Sequence, residues 1–381
     1  MKKKTPVLSI FIMIFCVCIA AVLVIQQRQN QKADAKVHLT NLNSLRSQPV
    51  LGRSVSHKIT IGAIGDILMH DRVYQYAYNG HRYDFDPLFS DVKSLLKRPD
   101  ILTANQESTL GGLELGLSSY PTFNSPHEVA DALVHTGVDI VSTANNHSLD
   151  KGERGIDSEA KYLNSIGLPH VGSFIDEEDR KKLRILDKDG IKIAFLAYTY
   201  GTNGIPVPDD RDFLVNLINR DLMKDEIHRA KKVADVVVMS IHWGNEYQRF
   251  PTDEQKNLAQ FLADEGADII FGSHPHVLQP MDWIKTKDGR KAFVVYSLGN
   301  FISGQSKDYK DIGGLATIDI SKQVSEEGTS ITLSNPRFYP TFVSKKKHYK
   351  VYPMEKAGPF GLSNPEAKYK EIQNHMFQWL R

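Results

Sequence analysis

The chain has 381 residues, 24% charged and 41% hydrophobic, a composition that supports a full globular core and excludes wholesale disorder. The net charge of +2 hides an asymmetry: residues 1–32 hold Lys2, Lys3, Lys4, Arg28 and Lys32 and no acid, which is +5 and leaves −3 for the rest. That remainder has no electrostatic footprint for nucleic acid, and a nucleic-acid partner is excluded.

Val7 to Ile25 is an uncharged run of 19 residues behind three lysines. It is long enough to span a bilayer as a helix, whereas the apolar part of a cleaved signal peptide is about 7–15 residues. The expectation is a cytoplasmic tail at 1–6, a transmembrane signal anchor at 7–25, and a single-pass cell-membrane protein with everything after Gln26 outside. Cys16 and Cys18 both lie in this run, so the exported part has no thiol and is held by packing alone. Phe15 and Val17 precede them, where lipoprotein cleavage needs a small residue. Residues 26–57 are polar without periodicity and read as an extracytoplasmic stalk.

Beyond the stalk, strands and helices alternate. Lys58 to Asp66 reads as a strand, and Pro87 to Lys97 as a short helix with Leu88, Val92, Leu95 and Leu96 on one face. Asp100 to Ala104 is a buried strand running into Asn105-Gln106-Glu107. A helix opens at Pro126 and ends at Gly137, and Val138 to Thr143 is a strand running into Asn145-Asn146-His147. A helix follows over 154–165. Leu183–Asp187 and Ile191–Tyr198 flank Lys188-Asp189-Gly190, a hairpin signal, and residues 200–215 form a loop long enough to be a lid. A helix over 220–232 leads to the β-branched strand 235–241, which ends in His242. Thr252 and Gln255 form a capping box for the next helix, which stops at Gly266. Ala267 to Phe271 then delivers Gly272-Ser273-His274-Pro275-His276. If that segment is extended, the two imidazoles project to one side. Ala292 to Tyr296 is a strand ending near Asn300. Strands over 313–320 and 330–333 and a closing helix over 368–380 complete the chain, with Lys345-Lys346-Lys347-His348 as a solvated loop.

This alternation predicts an α/β fold with a mostly parallel sheet, and such sheets bind ligands beyond the carboxyl ends of their strands. Five strands end in Asp66, Asn105/Glu107, Asn146/His147, His242 and His274/His276. Carboxylate, amide oxygen and imidazole together suit Mn²⁺, Zn²⁺ or Fe²⁺. The set is too large for one ion and fits two, about 3.5–4 Å apart with a shared carboxylate. Trp243 is equally compatible with lining a groove and with packing, while Glu246 in the same stretch could line that groove. Asp150 is placed to fix the turn that aims His147. His127, His135 and His228 lack ligand spacing.

The ordered motifs Gly65-Asp66 with His70, Asn105-x-Glu107, Asn145-Asn146-His147 with Asp150 and Gly152, His242-Trp243-Gly244 with Glu246, Gly272-x-His274-Pro275-His276, and Tyr296 to Phe301 resemble the capsule-synthesis CapA family over residues 58–304. That family works in poly-γ-glutamate production and is related to the calcineurin-like metallophosphoesterases. The resemblance implies a four-layer α/β/β/α sandwich over residues 58–340, with 341–381 packing on it as an extension. It implies metal ligation by Asp66, Glu107, Asn146, His242, His274 and His276, with His147 contacting substrate or protonating a leaving oxygen. His70, Asn105, Asp150, Glu246 and Asn300 are further ligand or supporting positions. The first motif departs from the superfamily's Asp-x-His: Leu68 stands two after Asp66, and His70 is four after. The implied partners are the polyanionic polymer and the membrane subunits of its synthase. The alternative role is a free-standing extracytoplasmic phosphoesterase.

Overall fold

The first predicted strand lies inside a longer one, β1 (Val55–Leu68), which takes in the last three residues of the predicted stalk. The computed structural model describes residues 55–380, so the tail, the anchor and the stalk as far as residue 54 lie outside the described residues. Among the described residues no helix is long and apolar enough to cross a membrane.

The strands that follow are β2 (Ile101–Gln106), β3 (Ile140–Ser142), β4 (His170–Val171), β5 (Arg184–Lys188), β6 (Ile191–Thr199), β7 (Val236–His242), β8 (Ile269–Ser273), β9 (Leu278–Lys285), β10 (Lys291–Leu298), β11 (Asn300–Ser303), β12 (Ile312–Ser325), β13 (Gly328–Ser344) and β14 (Lys350–Pro353). They form two sheets. The first runs β14-β13-β12-β1-β2-β3-β4 with β11 also on β1; the second runs β5-β6-β7-β8-β10-β9. In the first, β1 to β4 are parallel and β12 to β14 antiparallel. In the second, β6, β7, β8 and β10 are parallel, with β5 and β9 antiparallel at the edges.

Alternation along the strands explains how the sheets stack. Ile59, Ile61 and Ala63 of β1 share one core with Phe195, Val238, Phe271 and Val295 of the second sheet. The intervening residues face outward onto helices. Leu102 and Val141 pack with Val129, Leu133 and Leu163 of helices Glu128–Thr136 and Gly152–Ser165. Val237, Met239 and Ile270 pack with Ile227, Leu258 and Leu262 of helices Arg220–Lys231 and Asp253–Glu265. The protein is thus a mixed α/β fold of two sheets, each with an outer helical layer. The Thr252/Gln255 capping box is formed, with Thr252 Oγ1 accepting from the Gln255 N–H at 3.2 Å and Gln255 Oε1 accepting from the Thr252 N–H at 3.0 Å.

Three local expectations change. The helix expected over 87–97 is two single turns, Asp86–Phe89 and Lys93–Leu96, broken at Val92 (φ −105°, ψ −5°); its apolar residues are still buried in one core. Leu278–Lys285 forms a strand that the sequence pattern does not announce, because Pro280 interrupts it. The strand sits at the edge of its sheet, where a missing N–H costs no ladder bond. The hairpin β12–β13 is far longer than the two short strands expected, and β13 and β14 continue the first sheet across residue 340.

Candidate metal centre

The carboxyl ends of the parallel strands from both sheets meet at one edge. Register pairs Asp66 with Asn105 across β1–β2 and with Asn300 across β1–β11, and pairs His242 with Ser273 across β7–β8. Asp66 Oδ1 accepts from the Asn105 amide at 2.8 Å, and its Oδ2 lies 3.1 Å from His276 Nδ1. On the other side, His242 Nε2 lies 2.9 Å from Asn146 Oδ1, and the His242 and His274 rings are 4.8 Å apart. Glu107 sits between the two groups. Its Oε1 is 3.7 Å from His242 Nε2 and 3.8 Å from His276 Nε2. Ligand atoms of Glu107, His274 and His276 all lie within 4.8 Å of one another.

The histidine pair does not stand on an extended segment. His274 and His276 have φ of 97° and 58° in the turn between β8 and β9, a conformation costing about 1–3 kcal/mol each for a non-glycine residue. Pro275 between them has the fixed φ of its ring, and its carbonyl accepts from the Tyr247 N–H at 2.8 Å. Gly272 is required just before the turn: a Cβ there would overlap the Tyr296 carbonyl oxygen and lie 2.6 Å from Trp243 Nε1. Trp243 is packing rather than lining, buried with its N–H donating to Tyr296 O at 2.9 Å.

Electrostatics match this arrangement. Burial, and then the charge interactions with His276 and His147, hold His274 down to about 3. His242 is held well below its ordinary value by burial and by His274. Both are therefore neutral imidazoles, the form that ligates metal. Burial opposes protonation of His276, but Glu107 and Asp66 outweigh it and push the group up to about 9. Burial, with the negative Asp66 adding to it, raises the Glu107 carboxyl well above the carboxylate range. Both Glu107 oxygens and His274 Nδ1 are buried without a hydrogen-bond partner. Unpaired buried polar atoms cost roughly 1–3 kcal/mol each, and a divalent cation would satisfy all three. The residues fit a metal.

The remaining expected positions fall around this core. His147 Nδ1 is 2.7 Å from Asp150 Oδ2, and the ring packs edge-on against Phe123, so its Nε2 is the free nitrogen. Asp150 also accepts from the Phe123 N–H, at 2.5 Å, which ties the turn down. Asn105 orients Asp66 and lies 3.4 Å from His242 Nδ1. His70 is not drawn into the ligand cluster: its Nδ1 takes the Gly304 N–H at 3.2 Å, its ring packs on Phe123, and burial lowers it to about 4. Glu246 is exposed and acts on Glu107 and His276 only through its charge. Asn300 uses its amide N–H groups on Gln305 Oε1 and Lys310 O, which fixes the turn beside the site. His127, His135 and His228 are occupied elsewhere, by Ser158, Asp86 and Glu265.

Sequence reading missed Ser273, Tyr200 and Asn203. Ser273 Oγ lies 3.1 Å from His242 Nδ1 and orients that ring. The Tyr200 ring lies 4.6 Å from the His274 ring, and Asn203 contacts both Asn146 and His147. The signal was available, since β6 is also a parallel strand and Tyr200 immediately follows its carboxyl end.

Residues 60–305 match the family model for the bacterial capsule synthesis protein PGA_cap. The chain is 31% identical over 262 residues to the capsule biosynthesis protein CapA of Bacillus anthracis, covering 66% of this chain and 61% of that one. It is 29% identical over 266 residues to the PGA biosynthesis protein CapA of Bacillus subtilis, covering 64% and 62%. The match thus spans about three fifths of the length of these relatives. A solved structure of a hypothetical protein from Thermus thermophilus aligns over 74% of this chain and 99% of its own, at 17% identity and a TM-score of 0.44. By sequence, this chain belongs to the bacterial capsule synthesis family PGA_cap.

Proposed function

We propose that this protein is a membrane-anchored, extracytoplasmic component of poly-γ-glutamate capsule synthesis or export, built around a centre for two divalent ions. The pathway rests on the CapA relatives. The anchor rests on Val7 to Ile25 and the lysines before it. One observation carries the two-ion reading: Glu107, with both oxygens unpartnered, stands between an Asp66/His276 half and an Asn146/His242/His274 half. A carboxylate in that position can bridge. Bound Mn²⁺, Zn²⁺ or Fe²⁺ would supply Lewis-acid polarisation of a carboxylate or phosphoryl oxygen. Asp66 and Glu107 supply the negative charge that holds the ions, and the buried imidazoles supply neutral donors in a water-poor site.

His147 supports a second reading, a metal-dependent phosphoesterase. Asp150 holds its Nδ1–H, so Nε2 is aimed and free to exchange a proton with a leaving oxygen. Metal analysis of the full chain is expected to give two equivalents. No metal would refute the centre. Loss of polymer in a deletion strain supports the capsule role, and unchanged polymer would exclude it. If His147→Ala restores polymer to that strain, the role is binding or export. If purified protein with Mn²⁺ cleaves a generic phosphodiester and Asp66→Ala does not, the second reading holds.

A further inference from the structure

Only the oxygen end of the Asn146 amide can bind a cation, because the NH₂ end is a donor. Which end faces the cluster is therefore decisive. Oδ1 lies 2.9 Å from His242 Nε2, on the side of Glu107 and His274. The NH₂ end is engaged by the turn that follows β6. It donates to Asn203 Oδ1 at 3.2 Å.

That turn is itself held firmly. The Tyr200 N–H donates to the His242 carbonyl at 3.0 Å, and its ring leans on His274. Asn203 takes the left-handed conformation (φ 51°) between Gly201 and Gly204. The Thr199 hydroxyl donates to Gly201 O at 3.0 Å, and the Thr202 hydroxyl donates to Ile205 O. The turn thus presents the Asn203 carbonyl oxygen, an obligate acceptor, to this amide's NH₂. A flipped Asn146 would set its oxygen against the Asn203 oxygen and turn its NH₂ toward the ligand nitrogens, losing the hydrogen bond to Asn203.

We propose that Asn203 is a positioning residue that selects the orientation of the Asn146 amide and so completes the Asn146/His242/His274 half of the centre. This rests on the two-ion reading. It goes beyond it by predicting that the two halves respond differently to one substitution outside the ligand set.

The test is calorimetric titration of chelator-stripped full-length protein with Mn²⁺. Partners outside the ligand set typically govern metal affinity by about 10–100-fold. Asn203→Ala is therefore expected to weaken one equivalent by about that factor and leave the other unchanged, as Asn146→Ala does more severely. Asn203→Asp, which keeps the acceptor oxygen, is expected to restore the weakened equivalent. If Asn203→Ala binds both ions like the wild type, or Asn203→Asp fails to restore binding, the inference is wrong. Equal weakening of both equivalents with a lower metal-free melting temperature would also overturn it, since that is a folding defect. Wild type binding no Mn²⁺ would overturn the centre and this inference together. Wild type binding one ion would refute only the two-ion count, and Asn203→Ala would still decide this point on that ion.

Discussion

Glu159 lies fully buried on helix Gly152–Ser165, and its carboxyl oxygen accepts from the Leu110 N–H at 3.2 Å. The adjacent Thr109 hydroxyl donates to the His147 carbonyl at 2.7 Å, so this acid braces the loop that steadies His147. Burial raises its pKa from 4.5 to about 8, with the Leu110 hydrogen bond opposing only in part. A carboxyl raised in the folded state contributes stability that is intact below pH 4.5 and lost as pH rises through about 8. At pH 7 the loss spans two and a half pH units, about 3 kcal/mol at 1.36 kcal/mol per unit. Glu159→Gln keeps the acceptor oxygen and removes the titration. Urea unfolding of metal-free protein between pH 4 and 8 should therefore show the variant gaining on the wild type by about 3 kcal/mol at pH 7, with the two converging near pH 4.5. Parallel pH profiles would show that Glu159 does not carry a raised pKa, and the reasoning would fail.

Removing the Glu107 carboxylate by Glu107→Gln should abolish the thermal stabilisation produced by Mn²⁺. In wild type that is about 2.7 kcal/mol at a hundredfold excess over Kd; an undiminished shift in the variant would exclude Glu107 as a ligand. Gly272→Ala should cost about 3 kcal/mol or more by forcing β8 away from Tyr296 and Trp243, and a urea midpoint within error of wild type would contradict the close approach. Trp243→Phe should lose about 1–3 kcal/mol by stranding the Tyr296 carbonyl while Mn²⁺ affinity is retained. A selective loss of metal binding in that variant would instead place Trp243 in the site.

Much of the arrangement was legible because local rules and global fold agree. The Thr252/Gln255 box stands where the sequence puts it, and Asp189-Gly190 turns β5 into β6 with φ of 50° and 79°. The ends of β1, β2, β3, β7 and β8 do converge. Their apolar runs specify buried strands, and parallel pairing brings carboxyl ends to one edge. The edge strand β9 was illegible because Pro280 breaks the pattern that strands are recognised by, and only the edge position makes the proline harmless.

From the sequence alone came the residue types of the centre, their order along the chain, and the strand ends that carry them. Those follow from periodicity and from the chemistry each side chain can perform. The tertiary structure decided the rest. It put Glu107 between the two halves, set His274 and His276 in left-handed backbone, removed Trp243 to the core, and turned Asn203 onto Asn146 and Tyr200 onto His274. These are relations between residues as much as 210 positions apart, such as His276 and Asp66. They depend on how two sheets stack, and no local pattern encodes a distance across that interface.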